Sequence, residues 1–349
     1  MAKRRLVTPM LGLFVMLTLV LASGGPCQAQ KPIDLRISTW GGPKHYMSVG
    51  YWNKLFIPTV EKASNGRVKC AFFPGAVLGK APDHYDMAVT GIADLTWSII
   101  SYTPGRFPLI EVLTLPFIAP GDGVLNSKVL WDLYAEFPEV SNPFKDTHVV
   151  LFYAIPPDIF HSPKQPFNKL DDFRGKKIRG PSNAVADVIK SFGGAPIQMP
   201  ITEVYQAASS GILDGWISAA GTLKGFKLAE TAKYSYLPGW SCSLFFVTMN
   251  LSKWNSLPKE IQDLITEKLG GKVGAEWCGR LGDQDQRDGI QYTKELKNQV
   301  ITWSPEMVEQ LKKASRPVHE AWIKEMEAKG LPGKKVYNRA LELLEKYKK

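Results

Sequence analysis

The chain has 349 residues and a net charge of +10, with 43 Lys and Arg against 33 Asp and Glu. The cations are spread, with small clusters at Lys176-Lys177 and at the C-terminus, and they form no stripe interleaved with aromatics, which argues against nucleic-acid binding and leaves attraction of small anions as the use of the surplus. Five histidines without an HExxH or other close pair, and no GxSxG, P-loop or GxGxxG, remove the commonest hydrolase, metal and nucleotide signatures, so no cofactor or metal is expected.

The N-terminus runs Lys3-Arg4-Arg5, then a mainly apolar stretch from Leu6 to Ala22, then small and polar residues ending Cys27-Gln28-Ala29. That order reads as a secretory signal peptide over residues 1–29, and Thr8, Pro9, Gly12 and Thr18 interrupt a run that is short for a membrane span. Cys27 raises lipidation as a rival, against which the preceding Gly24-Gly25-Pro26 stands. Cleavage after Ala29 removes three positive charges and no negative ones, lowering the net charge from +10 to +7. No second long apolar segment follows, so no membrane insertion of the mature protein is expected, and its expected location is periplasmic. Cys70, Cys242 and Cys278 then remain, enough for one disulfide at most; their wide spacing favours buried small hydrophobes.

Leu35–Ser38 alternates as a strand and ends at the turn Trp40-Gly41-Gly42-Pro43. Trp52, Leu55, Phe56 and Val60 recur at helical spacing, and Ser64-Asn65-Gly66 suits a left-handed cap. A strand over Arg67–Phe73, a helix over Pro82–Gly91 and a strand over Ala93–Ser98 complete a strand-helix-strand-helix-strand order, which implies parallel pairing. The pattern recurs from His148: strands at His148–Tyr153, Lys177–Arg179, Pro196–Met199 and Asp214–Ser218 enclose helices near 183–192 and 203–210. Ser243–Met249 is a long apolar strand placed to return to the first lobe; helices fill most of 259–296, with two more near 306–329 and 337–348. The expected organisation is α/β with two lobes: a first lobe over 30–153, a second over 154–242, a return strand and long bridging helix over 243–305, and C-terminal helices over 306–349.

Arg174-Gly175-Lys176-Lys177-Ile178-Arg179-Gly180-Pro181 is the most suggestive polar cluster. On a strand, alternation puts Lys177 and Arg179 on one face, and Pro181 suits the start of a helix beginning near Asn183, whose free N–H groups favour an anion. An arginine there can grip a carboxylate through two parallel hydrogen bonds. The bland alternative is a surface arginine paired with Asp171 or Asp172. Trp40, Trp97, Tyr102 and Trp216 lie at presumed strand ends, where ligands of open α/β sheets sit, although core packing is the commoner role of any one tryptophan.

Three blocks resemble the DctP-type solute receptors of tripartite ATP-independent periplasmic (TRAP) transporters: Asn65-Gly66-Arg67-Val68 through Phe73–Gly79 to Gly91–Leu95; Leu170–Arg179 through Gly193–Pro200 to Glu203–Ala207 and Gly211–Gly215; and Met249-Asn250 with Trp254–Gln262. The resemblance implies two lobes closing on a ligand, crossing strands, a helix spanning both lobes, and delivery to a sodium-driven pair of TRAP membrane subunits. It also implies that Arg179 pairs with the ligand's carboxylate and that Ser218 stands where an asparagine often contacts ligand. In the Glu203–Ala207 motif, Glu203 is expected to cap and pack the helix that begins near Ile201, and Tyr205 is expected to reach the cleft. Where some members carry a second ligand-contacting arginine, this chain has Asp158. With Trp216 nearby and the segment Tyr102-Thr103-Pro104-Gly105-Arg106-Phe107-Pro108 matching one subgroup, the expected ligand is a monocarboxylate with an aromatic or apolar group. Rival functions are a receptor serving an ATP-driven importer or sensor kinase, and a secreted hydrolase using the cleft.

Overall fold

The computed structural model describes residues 32–348; the signal peptide expected over 1–29 lies outside them. Two sheets organise the chain. The first contains β1 (Ile33–Thr39), β2 (Val68–Phe73), β3 (Leu95–Ile99), β4 (Thr147–Ala154) and, arriving late in the chain, β10 (Leu244–Asn250), in the order β2-β1-β3-β10-β4. The second contains β5 (Asp158–Ser162), β6 (Lys177–Gly180), β7 (Ala195–Gln198), β8 (Gly215–Ser218), β9 (Tyr234–Ser241) and β11 (Gln299–Thr302), in the order β11-β9-β5-β8-β6-β7. β1 pairs in parallel with β2 and β3, and β6 with β7 and β8, as the strand-helix alternation predicts.

The central strands carry apolar residues on both faces because helices cover both sides. Leu95, Trp97, Leu151, Tyr153, Val247 and Met249 have no solvent exposure. Full burial of such a side chain stabilises by roughly 1.5–3 kcal/mol. The helix expected after Trp40 is present but wound in two ways, as a π-helix over Ser48–Phe56 and an α-helix over Ile57–Ala63.

Three connections join the lobes. The chain crosses from β4 to β5 at residues 155–157 and returns from β9 to β10 at 242–243. These two crossings are tied together: the Ile155 N–H donates to the Ser243 carbonyl at 3.4 Å, and the Cys242 thiol donates to the Ile155 carbonyl at 2.9 Å. The third is the helix Gly271–Glu295, which packs on the helix Gly123–Glu136 and β4 of the first lobe and on the short helix Gly221–Gly225 of the second before leading to β11. Glycine permits both approaches. A Cβ on Gly279 would lie 2.5 Å from the Gly123 carbonyl oxygen, and one on Gly289 would lie 2.0 Å from that of Ala220. The helices Pro305–Ala328 and Gly333–Lys348 complete the chain. Cys70, Cys242 and Cys278 are all free thiols. Among the described residues no helix is long and apolar enough to cross a membrane, and no cluster of His, Cys, Asp or Glu is disposed to hold a metal.

Candidate functional site

A cavity of about 450 Å³ lies between the lobes at the carboxyl ends of β1, β3, β6 and β8, where open α/β sheets place their ligands. The lobes meet over it. Ser101 Oγ, just past β3, donates to the Pro181 carbonyl at 2.9 Å, and the Ile201 N–H donates to the Tyr102 hydroxyl at 2.9 Å. Trp40 from the first lobe faces Phe226 from the second with ring centroids 5.9 Å apart.

Arg179 forms one wall of the cavity and is 2 % exposed. Its Nε donates to the Met199 carbonyl at 3.0 Å and its Nη1 to the Ile217 carbonyl at 2.7 Å, so two backbone dipoles fix the plane of the guanidinium. The Tyr102 hydroxyl stands beside the guanidinium, within its hydrogen-bonding and electrostatic reach, and no carboxylate pairs with the side chain among the described residues. The surface partners that were the alternative are occupied elsewhere: Asp171 takes Arg174 at 2.9 Å, and Asp172 accepts the Asn168 and Lys169 N–H groups. A buried, full-time cation without a counter-ion is costly, and an anion entering the cavity removes that cost. The exposed lysines Lys44, Lys224 and Lys227 also line the cavity, together with Asp285 and Asp288, so its outer rim carries both signs and the buried positive charge is that of Arg179.

The remaining wall is aromatic. Trp40, Tyr102, Phe226 and Phe245 line the cavity. Trp97 does not; it forms the layer behind, stacked on Trp40 at 4.5 Å and on Phe245 at 5.5 Å, with its indole N–H donating to the Tyr153 hydroxyl at 2.9 Å. Ser218 lines the cavity, its hydroxyl 2.8 Å from that of Thr222.

Besides Trp97, three further residues expected at the cleft are elsewhere. Trp216 shares a face of β8 with Ser218, yet its indole packs in the apolar layer beside His161, ring centroids 5.5 Å apart, and is fully buried without lining the cavity. Asn183 accepts from Gln198 Nε2 at 2.8 Å and lines a separate small groove beside Trp322, while Ser182 caps the helix that Asn183 begins. Tyr205 donates its hydroxyl to Glu230 at 2.7 Å on the surface. In each case a neighbouring partner that the local sequence does not reveal takes up the side chain.

His45, Phe226, Phe245, Ser243 and Asp285 line the cavity without having been anticipated. Phe245 carried a signal in the apolar strand; Phe226 carried none. Burial drives His45 down to about 3, leaving a neutral imidazole whose Nδ1 accepts the Met47 N–H at 3.3 Å, so that Nε2 carries the proton.

Asp158 opens β5 in the cavity wall with no solvent exposure. Its Oδ2 accepts from Ser243 Oγ at 2.6 Å. Burial pushes its carboxyl up to about 7, against the smaller opposing pulls of the Ser243 hydrogen bond and the Arg179 charge. The folded chain therefore keeps this proton to about pH 7 while the unfolded chain releases it in the ordinary carboxylate range. The contribution of Asp158 to stability falls as pH rises through that window and is lowest above it. Asp158→Asn removes the dependence. Relative to the ligand-free wild type, the variant is expected to gain on the order of 2–4 kcal/mol between about pH 4 and pH 8, read from urea unfolding at both pH values. An unchanged difference between the two proteins would contradict the assignment.

Comparison with known proteins agrees with this architecture. The family model described as bacterial extracellular solute-binding protein, family 7, matches residues 42–325. A solute-binding protein of Albidiferax ferrireducens is 25% identical over 226 residues, which cover 63% of this chain and 64% of that protein. The crystal structure of a TRAP solute-binding protein from Rhodoferax ferrireducens, in complex with copurified benzoate, is 26% identical and superposes with a TM-score of 0.86, covering 90% of this chain and 98% of the other. A TRAP solute-binding protein from an unidentified marine microbe, described as specific for aromatic acid ligands and solved with metahydroxyphenylacetate, is also 26% identical with a TM-score of 0.86, over 91% of this chain and 100% of the other. The chain belongs to the family 7 bacterial extracellular solute-binding proteins, the DctP-type solute receptors of TRAP transporters.

Proposed function

We propose that this chain captures a small monocarboxylate bearing an aromatic or apolar group in the periplasm and delivers it to TRAP membrane subunits. The observation that carries the reading is Arg179: buried, oriented by two carbonyls, without a counter-ion, and facing a cavity walled by Trp40, Tyr102, Phe226 and Phe245. The guanidinium takes the carboxylate, and the rings take a flat apolar body by stacking. A second carboxylate inside the cavity would meet Asp158 and no second buried cation, the lysines being exposed at the rim, which disfavours dicarboxylates. The aromatic acids bound by the Rhodoferax and marine proteins, at the same fold and 26% identity, support this ligand class.

The test is a thermal-shift panel on the protein, with aromatic monocarboxylates, branched 2-oxo acids, dicarboxylates and sialic acid. At a ligand concentration about 100 times Kd, stabilisation by mass action is about 2.7 kcal/mol, which corresponds to a rise of roughly 5 °C for a chain of this size. That rise is expected for aromatic monocarboxylates. A panel in which dicarboxylates alone raise the midpoint contradicts the reading.

A further inference from the structure

Most buried polar side chains have partners, so the exceptions in a ligand cavity carry information. Two of the unpartnered buried atoms belong to residues of the cavity wall: Asp158 Oδ1, an acceptor when the carboxyl is ionised, and Trp40 Nε1, a donor. Leaving such an atom without a partner costs roughly 1–3 kcal/mol, more for a charged group. Asp158 spends Oδ2 on the Ser243 hydroxyl and keeps Oδ1 free.

Asp158 and Arg179 share the cavity, and the arginine's charge acts on the carboxyl, yet the two form no ion pair; Arg179 instead gives Nε and Nη1 to the carbonyls of Met199 and Ile217. An acceptor and a cation that line one cavity without forming an ion pair fit a ligand that carries a carboxylate and, next to it, a group able to donate. A bare carboxylate leaves Oδ1 unsatisfied, and a second carboxylate is repelled. Of the three carboxylates in the wall, Asp158 alone is fully buried, whereas Asp285 is partly exposed and Asp288 exposed, so those two are satisfied by water and Asp158 Oδ1 is the acceptor that needs a ligand group. A hydroxyl needs one acceptor, and because it both donates and accepts it matches Oδ1 whether or not the carboxyl holds a proton.

We propose that Asp158 is a specificity-determining residue whose Oδ1 hydrogen-bonds a hydroxyl on the carbon adjoining the carboxylate held by Arg179, so that the ligand is a 2-hydroxy acid with an aromatic or apolar body. This rests on the monocarboxylate reading above and narrows it.

The test uses matched probes in calorimetry: mandelate against phenylacetate, and 3-phenyllactate against 3-phenylpropanoate, with phenylalanine as the amino counterpart. The wild type is expected to bind each hydroxy acid at least about tenfold tighter than its deoxy partner, because a site built to bond a hydroxyl rejects the analogue that lacks it. In Asp158→Leu the preference is expected to shrink to within about threefold, with the loss falling on the hydroxy acid while the deoxy acid binds as well or better. Equal wild-type affinity within each pair overturns the proposal, a comparison that needs no variant to fold. Phenylalanine binding tighter than 3-phenyllactate also overturns it, in favour of an ammonium at Asp158. If no probe binds and a dicarboxylate does, the monocarboxylate reading itself fails, a result distinct from equal binding within pairs.

Discussion

Arg179→Ala is expected to weaken binding of the carboxylate ligand by about 2–4 kcal/mol, a loss of roughly 30- to 1000-fold in affinity, while the protein still folds. The magnitude follows from burial. Arg179 is 2 % exposed, so its contact with an anion is made out of water, where truncating one partner leaves the other charge desolvated and unpaired. Folding is spared because the side chain forms no ion pair that would be broken; the change leaves the Met199 and Ile217 carbonyls without this donor and at the same time removes a buried uncompensated cation. Arg179→Lys is expected to recover only part of the affinity. One ammonium on a flexible stem cannot hold two carbonyls 3.0 and 2.7 Å away and still present a planar pair of donors. Calorimetry with an aromatic monocarboxylate measures the loss, and the ligand-free unfolding midpoint checks the fold. Affinity unchanged in Arg179→Ala would remove Arg179 from the site.

The lobes, the parallel pairing of β1 with β2 and β3, and the strand that carries Arg179 were legible because their residues alternate or run apolar between strong turn signals. β5 was not. It reads Asp158-Ile159-Phe160-His161-Ser162 with every residue buried, so polar groups that are satisfied or used within the fold look like a loop in the sequence. β9 was hidden by Pro238 and Gly239 inside the strand, and the helix Gly123–Glu136 by a nearly even mixture of polar and apolar positions. The site was half legible for a related reason. Residues at strand ends can be placed near a cleft from pattern alone, which brought Trp40, Tyr102, Arg179 and Ser218 to the cavity. Which way a side chain turns depends on neighbours remote in sequence. Trp216 follows the alternation of β8 yet is absorbed by the apolar layer around His161, and Phe226 reaches the cavity from a segment with no periodic signal.

Gly289→Ala is expected to destabilise the protein, by about 1–3 kcal/mol, at a position where the general rule gives the opposite sign. Within a helix, glycine to alanine ordinarily gains about 1 kcal/mol, because alanine has less backbone freedom to lose. Gly289 lies inside the helix Gly271–Glu295, but a methyl there would stand 2.0 Å from the Ala220 carbonyl oxygen and 2.7 Å from the Gly221 nitrogen. Both are backbone atoms, so no rotamer change relieves the overlap; the helix and the 220–221 segment must separate, an overpacking cost that exceeds the propensity gain. The separation would also strain the clamp made by Gln286, whose Oε1 accepts the Ala220 N–H at 2.7 Å and whose Nε2 donates to the Pro157 carbonyl at 3.2 Å. Ser218, Ala219, Gly221 and Thr222 belong to the cavity wall, so ligand affinity is expected to fall together with stability. Gly225→Ala is the control, since a Cβ there meets nothing within 4 Å and its stability should be unchanged or raised. For a chain of this size the expected cost corresponds to a drop of roughly 2–4 °C in Tm per kcal/mol, and a Gly289→Ala protein at least as stable as the wild type would show that the approach of this helix to the second lobe is looser than its glycine implies.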